Sequence, residues 1–232
     1  MKLDHKIIDQ SWLNRLSVSD KKSDYIITGC DYWKRGGEED LAFMYHSDHL
    51  TLVSCSPEMA ETISSEKPRT LSGFANEENG SQYEVYIDDV DYYLFENKND
   101  CESLLEVVEL SLEKDRSYIE SFIDACAEED LIKSDFDIDS DYFYAVVKDN
   151  EVAGMLASYC GVEPFESLSI VVNPRHRGLG VGKSLLYRLI DEAEKRNRVV
   201  RYRTNRENKS SIKLCESMGF TQHSSIQVLA KL

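Results

Sequence analysis

Arg175-His176-Arg177-Gly178-Leu179-Gly180-Val181-Gly182-Lys183-Ser184 follows a strand-like apolar run and leads directly into a helical stripe. Residues of these types at this spacing suit a phosphate cradle. Glycines at every second position let the backbone approach a ligand, because no Cβ intervenes and positive φ costs little. The unpaired N–H groups and positive dipole end of the following helix then face the same spot, which favours a diphosphate. Two familiar cradles fail on spacing. A nucleotide-hydrolysing P-loop needs glycine where Arg177 stands, and the dinucleotide fingerprint needs it at Lys183 or Leu185. What remains is Arg177-x-x-Gly180-x-Gly182, with a tight strand-to-helix connection as the structural alternative.

The charge distribution agrees with an anionic ligand at this segment. The chain has 232 residues and a net charge of −16, which argues against nucleic acid or an anionic membrane as the main partner. Between Pro174 and Lys213, however, stand 12 Lys/Arg and 4 Asp/Glu, whereas the remainder carries 15 basic and 39 acidic residues. A polyanionic cofactor would suit the basic segment and a cationic amine the acidic remainder; solvated faces of mixed charge are the alternative. A hydrophobic content of 41% suffices for a packed core. Neither a leader segment nor a membrane span is expected. Six cysteines without C-x-x-C pairs suggest reduced thiols in a cytoplasmic protein, with no metal site. The sequence carries no signal for oligomeric state.

The elements that must position the loop fall after residue 100. Asn97–Asp100 has linker character, dividing the chain into domains 1–100 and 101–232. In the first, Leu50–Cys55 predicts a strand and Ser56-Pro57 a helix start, continuing through Ile63. Glu66–Ser81 reads as a long loop. Tyr83–Phe95 reads as a strand pair with acidic turns, or as an aromatic, acidic wall for an amine through Asp88, Asp89 and Asp91. In the second, Leu105–Leu110 suits a strand, and Ser111 caps a helix carrying Tyr118, Ile119, Phe122, Ile123 and Cys126. A hairpin follows around Lys148-Asp149-Asn150-Glu151, then a strand at Leu168–Val172 ended by Asn173-Pro174. After the loop, Val181, Leu185, Leu186, Leu189, Ile190 and Ala193 form one apolar helical stripe. Val199–Arg203 is a strand, Asn208–Ser217 a helix stopped by Gly219, and Ser225–Leu232 a last strand.

Arg177-x-x-Gly180-x-Gly182 resembles the acyl-coenzyme A loop of the GNAT (general N-acetyltransferase) superfamily, [Q/R]-x-x-G-x-[G/A]. Ile170-Val171-Val172-Asn173-Pro174 is similar to that family's strand ending in V-x-P. Asn208 to Gly219-Phe220 is similar to its downstream stretch of asparagine, helix and Gly-Phe. The resemblance covers residues 101–232 and implies an α+β fold with a mixed α/β sheet, preceded by a smaller, mainly β N-terminal domain. That domain could be a diverged relative of the second.

The resemblance further implies that acetyl-coenzyme A, used without a metal, lies between splayed strands Leu168–Val172 and Val199–Arg203. The backbone of Ile170, Val171 and Val172 would face its pantetheine arm, with an N–H near Val172 receiving the thioester oxygen. Arg177, Gly178, Leu179, Gly180, Val181, Gly182, Lys183 and Ser184 would hold the diphosphate, and Asn208 and Ser211 would touch the cofactor. The acceptor would be a primary amine of a small molecule or peptide. Glu163 and Glu166 precede the third strand and are candidate proton acceptors; ordinary exposed acids are the alternative. His176 is expected to face cofactor or solvent. Many family members carry a tyrosine acid where this chain has Cys215, so Cys215 could donate weakly, water could serve, or the thiol could simply be packed. A coenzyme A sensor without catalysis, or a protein-docking module, is the alternative to an enzyme.

Overall fold

The computed structural model describes residues 3–35, 37, 39–78, 82–96, 105–149 and 151–232. The expected linker Asn97–Asp100, Cys101, Gly80 and Ser81 of the expected loop, and Asn150 of the hairpin turn lie outside them. In chain order the elements are α1 (His5–Arg15), β1 (Tyr25–Thr28), β2 (Asp40–Ser47), β3 (Leu50–Cys55), α2 (Pro57–Glu66), α3 (Leu71–Glu78) and β4 (Tyr83–Tyr93). Then follow β5 (Val108–Leu110), α4 (Leu112–Ala125), α5 (Glu128–Ser134), β6 (Tyr142–Lys148), β7 (Glu151–Tyr159) and β8 (Phe165–Val172). The last are α6 (Val181–Lys195), β9 (Val199–Asn205), α7 (Lys209–Ser217) and β10 (Thr221–Lys231).

These elements form two compact units. One comprises Asp4–Asp91, Asn205–Glu207 and Gln222–Leu232, with strand order β1-β3-β2-β10-β4. Its core gathers Met44, Val53, Met59, Ile63, Leu71, Phe74 and Leu229. The chain's last strand therefore lies with its first ninety residues. β10 pairs antiparallel with β2 from Ser224↔Ser47 to Ala230↔Asp40, burying Ile226, Val228 and Leu229.

Three expectations for this unit change. The expected loop Glu66–Ser81 contains α3, whose Leu71, Phe74 and Ala75 are buried at helical spacing. Its start is held from far along the chain: the Leu71 N–H donates to Gln227 Oε1 (2.6 Å) and Gln227 Nε2 donates to Ser72 Oγ (2.9 Å). Tyr83–Phe95 is one long strand through Tyr93 rather than a pair. Its acids are matched in place, Asp88 accepting from Arg206 Nε at 3.1 Å, while Tyr86 donates to Asp40 at 2.9 Å. Helix α1, which the sequence reading did not mark, packs Trp12 against Tyr45 with ring centroids 5.0 Å apart. Its Asp9 is buried, accepting from Tyr45 Oη (2.7 Å) and Ser47 Oγ (3.1 Å).

The other unit includes Tyr92–Thr204 and Asn208–Thr221, with strand order β5-β6-β7-β8-β9. β5 to β8 are antiparallel neighbours, and β8 and β9 are parallel. Helix α4 lays Ile119 and Phe122 on Phe143, Ala145, Met155, Ala157 and Val171. Tyr118, expected in that stripe, is partly exposed instead. Ser111 precedes α4 in an extended conformation but caps through its backbone, its N–H donating to Asp115 Oδ2 at 2.8 Å. The short α5 was not expected from periodicity; Glu128, Glu129 and Asp130 in its first turn complement the helix dipole.

On the opposite face, α6 packs over β6, β7 and β8 and buries Val181, Leu185, Leu186, Leu189 and Ala193. Gly154 on β7 makes room for its start: a Cβ there would lie 2.7 Å from Val181 Cγ1 and 3.0 Å from the Val171 carbonyl oxygen. At the other end, Arg196 reaches the fully buried Glu166 twice, at 2.7 and 3.2 Å, and Ser158 Oγ donates to the same carboxylate at 2.7 Å.

Gly154→Ala is expected to cost about 1–3 kcal/mol, read as a lower urea midpoint with an unchanged slope; an unaltered midpoint would show that Val181 and Val171 yield without penalty. Breaking the buried ion pair should cost more. Glu166→Ala and Arg196→Ala are each expected to lose about 3–5 kcal/mol, and the double variant less than their sum.

Candidate functional site

The site begins where β8 stops. Proline at 174 cannot extend the ladder, and the Asn173 side chain accepts from the Arg175 N–H (3.1 Å), turning the chain into a single 3-10 turn, Pro174–His176. Gly178 and Gly180 then adopt φ of 76° and 86°, and α6 starts with Gly180 at its N-cap. No side chain caps this end, and its first turn carries no acid.

Within residues 177–184, the N–H groups of Arg177, Leu179 and Ser184 donate to the carbonyls of Pro174, His176 and Gly180. Those of Gly178, Gly180, Val181, Gly182 and Lys183 donate to no carbonyl among the described residues. Five amides at a helix start are thus available for an anion. Gly182 is closely approached: a Cβ there would stand 3.1 Å from Leu214 Cδ2, which would have to give by a few tenths of an ångström, and 3.7 Å from Val172 Cγ2.

Beside this loop β8 has a free edge. β8 and β9 are in register only at Phe165↔Val199, Glu166↔Val200 and Ser167↔Arg201. Beyond that point Leu168–Val172 and Tyr202–Thr204 do not pair with each other, whereas the other edge of β8 stays on β7 through Gly154↔Val172. The Val171 carbonyl lies against Gly154 of β7. Since backbone groups alternate along a strand, those of Ile170 and Val172 face the open edge. The Val172 carbonyl accepts from Arg177 Nε at 3.1 Å, and Arg177 Nη2 pairs with Asp130 Oδ2 of α5 at 2.7 Å.

The structure thus brings Ile170, Val172, Arg177, Gly178, Gly180, Gly182 and Lys183 to one end of this open strand edge. Other expected site residues stand differently. Ser184 is buried, and both its N–H and its hydroxyl donate to the Gly180 carbonyl, so it is turned away from a ligand. Val181 is core and Leu179 is exposed. Val171 contributes its side chain to the core and its carbonyl to the β7 side. Asn208 caps α7, accepting from the Ser211 N–H (3.2 Å), and Ser211 Oγ lies 3.0 Å from Tyr202 Oη.

The candidate catalytic groups separate clearly. Glu163 is exposed and pairs with Arg198 at 3.3 Å. Glu166 is sealed against Arg196 and Ser158, an arrangement in which both oxygens already accept hydrogen bonds. Cys215 is fully buried, its thiol donating to the Ile212 carbonyl at 3.2 Å, and burial pushes its pKa up to about 12. The thiol is thus packed inside the unit. His176, expected at the surface or cofactor, is 7% exposed with Nε2 2.8 Å from Glu151 Oε1.

Gly154, Asp130, Arg196 and Arg201 were not singled out from the sequence. Gly154 alone had a signal, a glycine inside a strand-like run marking close backbone approach. Among the described residues, no group of three or more His, Cys, Asp or Glu could hold a metal, and no helix is long and apolar enough to cross a membrane.

The sequence profile of the Acetyltransferase (GNAT) family matches residues 104–220. Among solved structures, a GCN5-related N-acetyltransferase-like protein from Streptococcus suis aligns with a TM-score of 0.50 and 13% identity, over 83% of this chain and 84% of that one. An acetyltransferase of the GNAT family from Novosphingobium aromaticivorans gives 0.48 and 20%, over 65% and 68% of the two chains. The ribosomal-protein-S18-alanine N-acetyltransferase from Escherichia coli gives 0.40 and 21%, over 54% and 94%. At 13% identity the likeness to the Streptococcus suis protein concerns fold alone. Comparison with curated proteins finds no match. With just over half of its length matched by the family profile, across the β8 crevice and the glycine loop, this chain belongs to the GNAT acetyltransferase family.

Proposed function

We propose that this protein transfers an acetyl group from acetyl-coenzyme A to a primary amine of a small molecule or peptide, by direct attack in a ternary complex. One observation carries the reading: the open edge of β8 ends on a helix start with five unengaged amides. The diphosphate would sit on the N–H groups of Gly178, Gly180, Val181, Gly182 and Lys183, with the Lys183 ammonium beside it. The pantetheine arm would run along Ile170 and Val172 as a further strand-like partner. Because the loop stands at the Val172 end and the strands meet at Ser167, an arm anchored on the loop carries its thioester towards Ser167. The oxyanion donor is then better sought at Ile170 or Leu168 than at Val172.

The amine nitrogen attacks the thioester carbon, the C–S bond breaks, and the ammonium proton leaves to a base. An amine with a reference pKa of about 10.4 needs that base, whereas a thiol of about 8.5 leaves without a strong acid. Of the two carboxylates considered, Glu163 has the exposure to take a proton through water, and Glu166 is engaged in its ion pair. The sealed Cys215 supports departure of the thiolate to water.

The same sealed thiol and engaged Glu166 also favour a second reading, a coenzyme A-binding module without turnover. The five described cysteines are free thiols, which supports a reducing compartment such as the cytoplasm.

Calorimetry with coenzyme A is expected to show binding that falls at least about tenfold in Gly180→Asp and Gly182→Asp through charge and bulk at the amides. Because position 182 is tightly packed, Lys183→Ala is the milder companion, expected to weaken binding several-fold. Equal affinity in all three would remove the cradle. Release of free thiol from acetyl-coenzyme A with an amine panel separates transfer from mere binding.

Cys215→Ala is expected to lose less than about tenfold in rate. Its pH–rate profile should superimpose on that of the unaltered protein between about pH 6 and 9, since a thiol near 12 stays protonated throughout. A lost limb in that range would return Cys215 to the chemistry.

A further inference from the structure

Arg201 stands on β9 opposite Ser167, at the last paired position before β8 and β9 part. It is 7% exposed. Its Nε and Nη2 both donate to the one Ser167 hydroxyl, at 3.0 and 2.7 Å, and these are its interactions among the described residues. The neighbouring arginines differ: Arg196 holds Glu166, Arg198 holds Glu163, and Arg188 holds Glu109 and Glu192. Among the described residues Arg201 has no carboxylate partner, although a buried guanidinium is costly without one.

The guanidinium is nevertheless well presented. Ser167 engages the edge made by Nε and Nη2, which leaves the Nη1–Nη2 edge, a pair of parallel N–H donors whose spacing matches a carboxylate. No Arg201 nitrogen is among the side-chain atoms sealed from water without a partner, so the unused donors keep a path to solvent. Ser167 itself is buried, which fixes the fork. The cofactor's diphosphate does not explain this residue. Ser167 lies five residues before Val172, about 16 Å along a strand from the glycine loop. It does lie where the open edge of β8 closes onto β9, the end towards which the thioester would be directed.

We infer that Arg201 binds a carboxylate of the acceptor, so that the substrate is an amine bearing a carboxylate a few bonds from the reacting nitrogen, as in an amino acid. This rests on the acetyl-transfer reading above. The Arg201 fork would fix the acceptor's anionic end and leave its amine free to reach the thioester carbon. The acidic remainder of the chain would attract the ammonium form, and this one desolvated cation would select among amines.

The test pairs L-amino acids with their decarboxylated amines and follows thiol release from acetyl-coenzyme A, with calorimetry of acetyl-coenzyme A as a separate arm. At least one amino acid should exceed its matched amine by tenfold or more in kcat/KM. Arg201→Gln should lower that preference by roughly 10²-fold, mostly through KM, and Arg201→Lys should restore part of it. Amines equal to or better than their partners, or a preference retained in Arg201→Gln, would overturn the inference. A protein that binds acetyl-coenzyme A yet turns over neither set would overturn it too, while leaving the cofactor site standing. Failure to bind acetyl-coenzyme A would remove both. The comparison within the unaltered protein needs no variant to fold.

Discussion

The separation of β8 from β9 after Ser167↔Arg201 is the constraint on which the rest of the site depends. A strand inside a sheet satisfies its N–H and C=O groups on both edges. Here β8 keeps one edge bonded to β7 and withholds the other over Leu168–Val172. An open strand edge is a template for any extended chain with amide groups. A pantetheine arm is such a chain, and the resemblance to GNAT enzymes acquires a physical basis in that edge. The buried Glu166–Arg196 pair lies beside the closed end, where it ties β8 to the end of α6.

The glycine loop complements this edge by what it leaves undone. Positive φ at Gly178 and Gly180 turns the chain sharply enough that α6 begins without a side-chain cap. Gly182 lets Leu214 of α7 and Val172 of β8 close in around the first turn. Arg177 reaches the Val172 carbonyl and Asp130, which braces the loop against β8 and α5. Lys183, exposed in the first turn, offers a cation outward.

Features governed by neighbouring residues were legible in the sequence. The loop, the α6 stripe, the Lys148–Glu151 hairpin and the strand ending at Asn173-Pro174 follow from spacing and from glycine and proline chemistry. Features governed by distant partners were not. α3 was hidden because its start is held by Gln227, and Glu166 read as a candidate proton acceptor or an exposed acid because nothing local shows that Arg196 and Ser158 seal it. Arg201 registered only as one more charge in a basic run. The lack of an acid beside it depends on which strands separate and where, which no local pattern records.

The position of β10 bears on how the protein is made. This strand lies between β2 and β4, yet it is the last element of the chain. A ribosome delivers β2 and β4 long before the piece that belongs between them, so the nascent N-terminal half waits with two bare strand edges for residues 221–231. The strand that fills this gap is made only after the acetyltransferase segment has emerged.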